Sequence, residues 1–223
     1  MGKVPTEVMN QHLSSYFHAE KKGSELISRL VEFAPSDEAR QWVPVWAKEE
    51  MHHHTMWDRV MKNRRAEPGK MDYNVYKLFE ITEDYVNRRS WAGSMVGAAV
   101  IEHLSNAAAA YLFHDADDDV KIVFKKITGD DLGHLDFDMH EIEKIAKTEE
   151  GRKEIAEIHK RFLMEIIEWP NREGTAEADI DILNDTYRIH RAAMKKIGVS
   201  LPKMHFSKGA GFEMKKRLIK LLA

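Results

Sequence analysis

The sequence predicts an all-α chain: a four-helix bundle with a long crossover between its two hairpins and additional helices at the C-terminal end. Three observations carry that expectation. Apolar residues recur at helical spacing in six or seven segments, and no stretch sustains the two-residue alternation of a strand. The connection between the second and third long helices is extended and broken at Pro68-Gly69, as two hairpins joined head to tail require. Two acid–histidine motifs, Glu49-Glu50-Met51-His52-His53 and Asp130-Asp131-Leu132-Gly133-His134, sit some eighty residues apart, each within a long helical segment.

The first helix is read over residues 6–33, with Leu13, Phe17, Ser24 and Ile27 on the stripe that includes Glu20, and Pro35 ends it. Ser36, followed by Asp37 and Glu38, reads as an N-cap opening a second helix over 36–62, in which Pro44 is expected to produce a kink or a delayed start. Residues 71–89 read as a crossover helix, 91–113 as an alanine-rich third bundle helix, and 120–148 as the fourth, after the acidic turn 114–119. The remaining third is different in kind. Helices are expected over 151–169, halted by Pro170, and over 176–197, stopped by Gly198 and Pro202. The basic, amphipathic tail 211–223 reads as a docked terminal helix or an oligomer contact, the latter compatible with a homodimer. Residues 1–150 are thus expected to form the bundle, with 151–223 as a helical extension packed on it.

Composition narrows the chemistry. A net charge of −3, with basic residues dispersed among acidic ones, offers no footprint for nucleic acid or an anionic membrane. The absence of cysteine removes disulfides, thiolate zinc sites, iron–sulfur clusters and cysteine nucleophiles, so any metal must be held by oxygen and nitrogen. No signal peptide and no membrane-spanning run is visible, which makes the cytoplasm the expected location.

The motifs point to metal chemistry. A carboxylate three residues before an imidazole places both on one helix face. Glu20 precedes Glu50 by thirty residues and Glu102 precedes Asp131 by twenty-nine, each on its own helix, so the chain reads carboxylate, carboxylate-x-x-His, twice. Glu49 with His52 has the same spacing as Glu50 with His53, but only one pair can face inward. Aligning the two motifs selects Glu50 and His53, with Val43, Ala47 and Trp57 on the same stripe. Glu49, His52 and His54 then fall to other faces, where a polar helix surface is the plain reading. Glu20 has rivals in Glu25 and Glu32 that do not match the thirty-residue offset. The candidate ligands are therefore Glu20, Glu50, His53, Glu102, Asp131 and His134. Asp130, Asp136 and Asp138 are acceptors for the histidines or, more plainly, an exposed acidic face. Carboxylate and imidazole suit iron first and manganese second at either position. The small residues Ala98, Ala99, Ser105, Asn106, Ala109 and Ala110 around Glu102 allow either close helix packing or a pocket, the latter lined also by Tyr16, Phe17, Trp46 and Phe113. Gly209-Ala210-Gly211 follows no strand and reads as a helix boundary rather than a nucleotide loop.

With these residues in view, the chain resembles the ferritin-like di-iron carboxylate superfamily, and within it the aldehyde-deformylating oxygenases. The likeness rests on Lys48-Glu49-Glu50-Met51-His52-His53, on Val100-Ile101-Glu102 and on His134-Leu135, and spans roughly residues 10–145. It departs at Asp131, where glutamate is usual, and in a somewhat longer interval between the first and second helices. The resemblance implies two iron ions, or a mixed iron–manganese pair, with O2 as co-substrate, and oxidation of a small, largely apolar organic molecule. Electrons would come from a separate reductase, the substrate or a chemical co-reductant. Two other readings compete: a ferroxidase or iron-storage protein with no organic substrate, and a metal-free helical protein whose polar core pairs are structural.

Overall fold

The computed structural model describes residues 6–211, so the tail expected over 211–223 lies, but for Gly211, outside the described residues. Seven α-helices occupy most of that span: α1 (Thr6–Leu30), α2 (Asp37–Asn63), α3 (Tyr73–Asn87), α4 (Trp91–Leu112), α5 (Asp118–Ala146), α6 (Glu149–Ile166) and α7 (Glu177–Lys196). A short 3-10 turn, Trp169–Asn171, follows α6, and the described residues contain no strand.

Helix boundaries follow local hydrogen-bond chemistry. The Ser36 hydroxyl accepts from the Ala39 N–H at 3.1 Å, Ser90 from Gly93 at 3.1 Å and Thr148 from Gly151 at 2.9 Å, each satisfying one of the otherwise unpaired donors of a first turn. Asp72 does the same for Asn74 and Val75 at the start of α3. α2 runs continuously past Pro44. The ring sits on the exposed side of the helix beside exposed Arg40, where water can take the Arg40 carbonyl that Pro44 leaves without a donor.

α1 with α2 and α4 with α5 form two hairpins that pack on each other through α2–α5 and α1–α4 contacts, and α3 is the crossover between them. Fully buried Trp46, Trp57, Met95, Leu112 and Phe124 fill the space between the four long helices. Alongside, α6 lies against α3, α4 and α5, and α7 against α4. Arg161 of α6 pairs with Asp84 of α3. The chain after α7 turns back along it: Tyr187 donates to the Pro202 carbonyl at 2.5 Å, and Asn184 exchanges two hydrogen bonds with Phe206 at 2.8 and 3.0 Å.

The α3–α4 contact depends on two glycines. A Cβ at Gly97 would come within 2.5 Å of Thr82 Oγ1, and one at Gly93 within 2.2 Å of the Tyr85 ring. Because Thr82 is buried and hydrogen-bonded to the Leu78 carbonyl, it has little room to move. Gly97→Ala is therefore expected to destabilise the fold by about 1–3 kcal/mol, the usual cost of overpacking, in spite of alanine's better helix propensity. Denaturant unfolding of the variant against the parent measures it.

Candidate metal centre

The six predicted side chains converge. Glu20 from α1, Glu50 and His53 from α2, Glu102 from α4, and Asp131 and His134 from α5 are all buried, none more than 8% exposed. Two sets of potential donor atoms, each mutually within 4.8 Å, emerge: Glu50, Glu102, Asp131 and His134 form one, and Glu20, Glu50 and His53 the other. Glu50 belongs to both. Asp131 Oδ1 lies 3.9 Å from His53 Nδ1 and 3.8 Å from His134 Nδ1, so it too stands between the two halves.

Each imidazole is held from behind. His53 Nε2 lies 3.0 Å from Asp130 Oδ2, and His134 Nε2 lies 2.9 Å from Glu49 Oε2. The two contacts cross: an acid on α5 holds the histidine of α2, and an acid on α2 holds the histidine of α5. A carboxylate at Nε2 fixes a proton there, so that Nδ1 is the nitrogen able to present a lone pair inward once a metal ion displaces any proton it carries. Both Nδ1 atoms are buried and without a hydrogen-bond partner. His53 Nδ1 is 3.4 Å from Glu20, and His134 Nδ1 is 3.1 Å from Glu50 and 3.5 Å from Glu102. Two inward-facing imidazole nitrogens and four carboxylates in a buried space form, once deprotonated, a donor set that suits divalent iron or manganese.

Two further features shape the ligands. The Trp46 indole N–H donates to Glu50 Oε1 at 2.9 Å, one helical turn away. Gly23 of α1 lies opposite, where even a Cβ would come within 3.3 Å of Glu50 Oε2, so the shared carboxylate fits because that position lacks a side chain.

The electrostatics follow from crowding. Burial, and then the charge of Glu50, holds the Glu20 carboxyl well above the usual carboxylate range. Burial pushes Asp131 up strongly, with Glu102 and Glu20 adding to it, and raises Glu102 against the attraction of His134. Glu50 goes the other way: burial opposes its charge, but His134, together with Glu20 and His53, outweighs burial and lowers it. Burial would depress His134, yet the adjacent Glu102 and Glu50 push it up to about 12. Without metal, then, burial and mutual repulsion favour the protonated forms of Glu20, Asp131 and Glu102, and His134 keeps its proton.

The structure sorts the flanking residues. Glu49 lies off the inward stripe and supports His134 from behind, and of the two readings open for Asp130 the histidine acceptor holds, while His54 and Asp138 depart from the exposed surface expected of them. The available signal was the doubled acid in both motifs, Glu49-Glu50 and Asp130-Asp131. Asp136 and His52 are exposed as read, whereas half-buried His54 contacts the Phe17 carbonyl at 2.7 Å. Asp138 is fully buried.

A cavity of about 610 Å3 opens directly onto the centre. Its floor includes Glu20, Glu50, Glu102 and Asp131, and its walls include Tyr16, Trp46, Ala98, Ile101, Ser105 and Ala108. Phe17 and Phe113, expected as lining residues, are elsewhere: Phe17 packs against His54 and Phe113 lies under Lys121 and Lys125. Both roles foreseen for the small residues of α4 occur. Ala99 and Ala109 are buried in the core, while Ala98 and Ser105 border the cavity. The outer wall comes from residues no motif marked, among them Trp169, Ala176, Asp179 and Ile182.

No family model and no curated protein matches the sequence. Among solved structures, the chain is similar to protein 19 with aldehyde deformylating oxidase activity from Synechococcus, with a TM-score of 0.55 and 15% identity over 97% of this chain and 90% of that one. The fold is ferritin-like. At that identity the likeness is one of architecture. No helix among the described residues is long and apolar enough to cross a membrane.

Two outcomes are expected. Asp130→Asn and Glu49→Gln should each weaken metal binding about 10–100-fold while leaving the fold intact, read by competition with a chelating dye. Loading divalent metal should also release protons, because an ion displaces the proton that His134 holds and favours the ionised forms of the raised carboxylates, so apparent affinity falls as pH falls; a pH-indicator titration in weak buffer checks the sign.

Proposed function

We propose that the chain is an O2-activating oxidoreductase, an oxygenase or oxidase with two iron ions or a mixed iron–manganese pair, acting on a small, largely apolar organic substrate. The observation that carries this reading is the cavity: about 610 Å3, within the range of small-molecule sites, mostly walled by apolar side chains and floored by four of the six candidate ligands. Glu20 and His53 would hold one ion, Glu102 and His134 the other, with Glu50 and Asp131 between them. When bound, such a pair supplies redox and O2 chemistry that the side chains of this protein lack.

The protein's part is positioning, dryness and proton placement. Trp46 fixes one oxygen of Glu50 through its indole N–H. Glu49 and Asp130 keep both imidazoles in the tautomer that presents Nδ1. Tyr16 donates a hydrogen bond from its hydroxyl to the Ser105 carbonyl at 2.6 Å and packs against Trp57 and Phe124, closing the inner wall against water. The substrate's reacting carbon would lie beside the carboxylate floor. The electron donor would be a separate protein or small reductant, and a homodimer is compatible with this reading.

Iron storage is the competing reading, and the two part experimentally. Anaerobic loading should place two Fe(II) per chain, and O2 should change the optical spectrum once per pair. The Ala98→Phe variant, which fills the cavity wall, should keep metal content and oxygen reactivity but lose at least about tenfold in binding of a medium-chain apolar ligand, followed by quenching of Trp46 and Trp169. A shell-sized oligomer in size exclusion, or indifference of ligand binding to Ala98→Phe, would favour storage. Glu102→Ala with full metal content and unchanged oxygen reactivity would overturn the ligand assignment.

A further inference from the structure

Where α6 and α7 meet α4, three histidines from three helices form a hydrogen-bonded row that the metal centre does not use. His159 Nε2 lies 2.8 Å from His190 Nε2, and the other nitrogen of His190, Nδ1, lies 3.3 Å from His103 Nδ1. All are buried, at 2%, 4% and 4% exposure. The surroundings are apolar, chiefly Val100, Phe162, Leu163, Ile166, Leu183 and Tyr187. Because His190 uses opposite edges of its ring, no point is faced by three nitrogens, and the row offers no seat for a metal ion.

The proton positions follow by elimination. His159 Nδ1 lies 2.8 Å from the Ile155 carbonyl, which can only accept, so that nitrogen carries the proton and Nε2 is the lone pair. His190 must then donate from Nε2, leaving its Nδ1 as an acceptor. His103 Nδ1 lies 2.7 Å from the Ala99 carbonyl, so it also carries a proton, shared between that carbonyl and His190. Every contact in the row is satisfied with all three rings neutral. A proton added to His159 sets two N–H groups against each other at 2.8 Å, and one added to His190 does the same against His103. Shifting the tautomers to relieve either clash takes the proton off His103 Nδ1 and sets its lone pair against the Ala99 carbonyl at 2.7 Å.

We propose that His159 and His190 form an acid-sensitive latch, which in its neutral state seats α7 on the bundle and in mild acid lets go of it. α7 and the residues leading into it supply Ala176, Asp179 and Ile182 to the outer wall of the cavity, so releasing the latch opens the route to the centre. The latch stands whether or not the centre carries iron, and only its consequence for access rests on the function proposed above. Burial holds both rings below the ordinary histidine range, His159 at about 4, with repulsion from its histidine neighbours adding to the effect on His190. The sign is then fixed. An unfolded histidine takes a proton near pH 6.5, so the contribution is fully present above about pH 6.5 and is lost as pH falls toward about 4.

The other ionisable groups facing α7 do not mimic this. His12 of α1 sits 3.1 Å from Asp179, and a proton there strengthens the pair. Burial, and then nearby Asp181, raises Tyr111 of α4 further from this range, Lys208 is 3.4 Å from Glu177, and Arg191 holds the Leu201 carbonyl at 3.0 Å.

The test is amide hydrogen exchange of the full chain at about pH 7.5 and about pH 5.5, corrected for intrinsic rates, with and without metal. Protection over residues 177–196 should fall roughly tenfold or more in acid, while α2 and α4 change less. The His159→Leu/His190→Leu double variant should hold its protection at both values. Equal protection in the parent at both pH values, or the same loss in the double variant, would overturn the latch. Should the double variant fail to fold, ring 15N shifts of the parent decide: neutral rings at about pH 7.5 with the proton on Nδ1 of His159 and Nε2 of His190 support it, and any other arrangement overturns it.

Discussion

The structure is organised around the concentration of like charge. Four carboxylates share a buried space in which donor atoms of each set lie within 4.8 Å of one another. A single pair of unit charges about 4 Å apart interacts with about 4 kcal/mol at an effective dielectric near 20, and a whole domain is stable by only about 5–15 kcal/mol. Several such repulsions cannot be tolerated by packing alone. The site therefore demands protons, cations or both, which is why Glu20 and Asp131 are driven upward together and His134 holds its proton so strongly. A purely structural role for these groups fits poorly, since apolar residues of similar size would fill the bundle at no electrostatic cost.

That demand reaches outward into the fold. The histidines could not present inward lone pairs without acceptors behind them, and those acceptors come from the opposite helix in each case. The crossed contacts Glu49–His134 and Asp130–His53 therefore set the axial register of α2 against α5 as well as the ring orientations. Gly23 answers the same demand from α1, leaving room for the carboxylate that both halves share.

Most of the helices and all six converging side chains were legible in the sequence, because both depend on short-range spacing. A helix repeats every 3.6 residues, so an acid and a histidine three apart must share a face, and Ser36 and Pro35 mark a boundary by local chemistry. Features that depend on register between helices were not legible. Which of Glu49 or Asp130 supports which histidine is decided by the offset of α2 against α5, and no spacing within one helix encodes it. The same holds for the histidine row, whose members are 87, 31 and 56 positions apart in pairs of helices that nothing local brings together. Pro44 does not delay the start of α2, because its cost depends on whether the freed carbonyl faces water, which is a property of the folded surface.

The two kinds of ligand occupy different sides of the centre, and this asymmetry has chemical content. Glu20, Glu50, Glu102 and Asp131 border the cavity, whereas His53 and His134 do not and are backed by acids at the α2–α5 interface. An imidazole offers one lone pair in the ring plane and, braced at its other nitrogen, has no alternative mode. A carboxylate has two oxygens and can bind through one or both, so it can yield a coordination position without leaving the ion. With the rigid donors at the back and the adaptable ones toward the cavity, a molecule arriving at a metal-loaded centre would meet the side that can make room for it. Asp131, one methylene shorter than glutamate, reaches less far from its helix than Glu50 does, so the two shared positions are unequal in slack. In a loaded centre, the place where a carboxylate most readily gives way would be set by side-chain length as well as by charge.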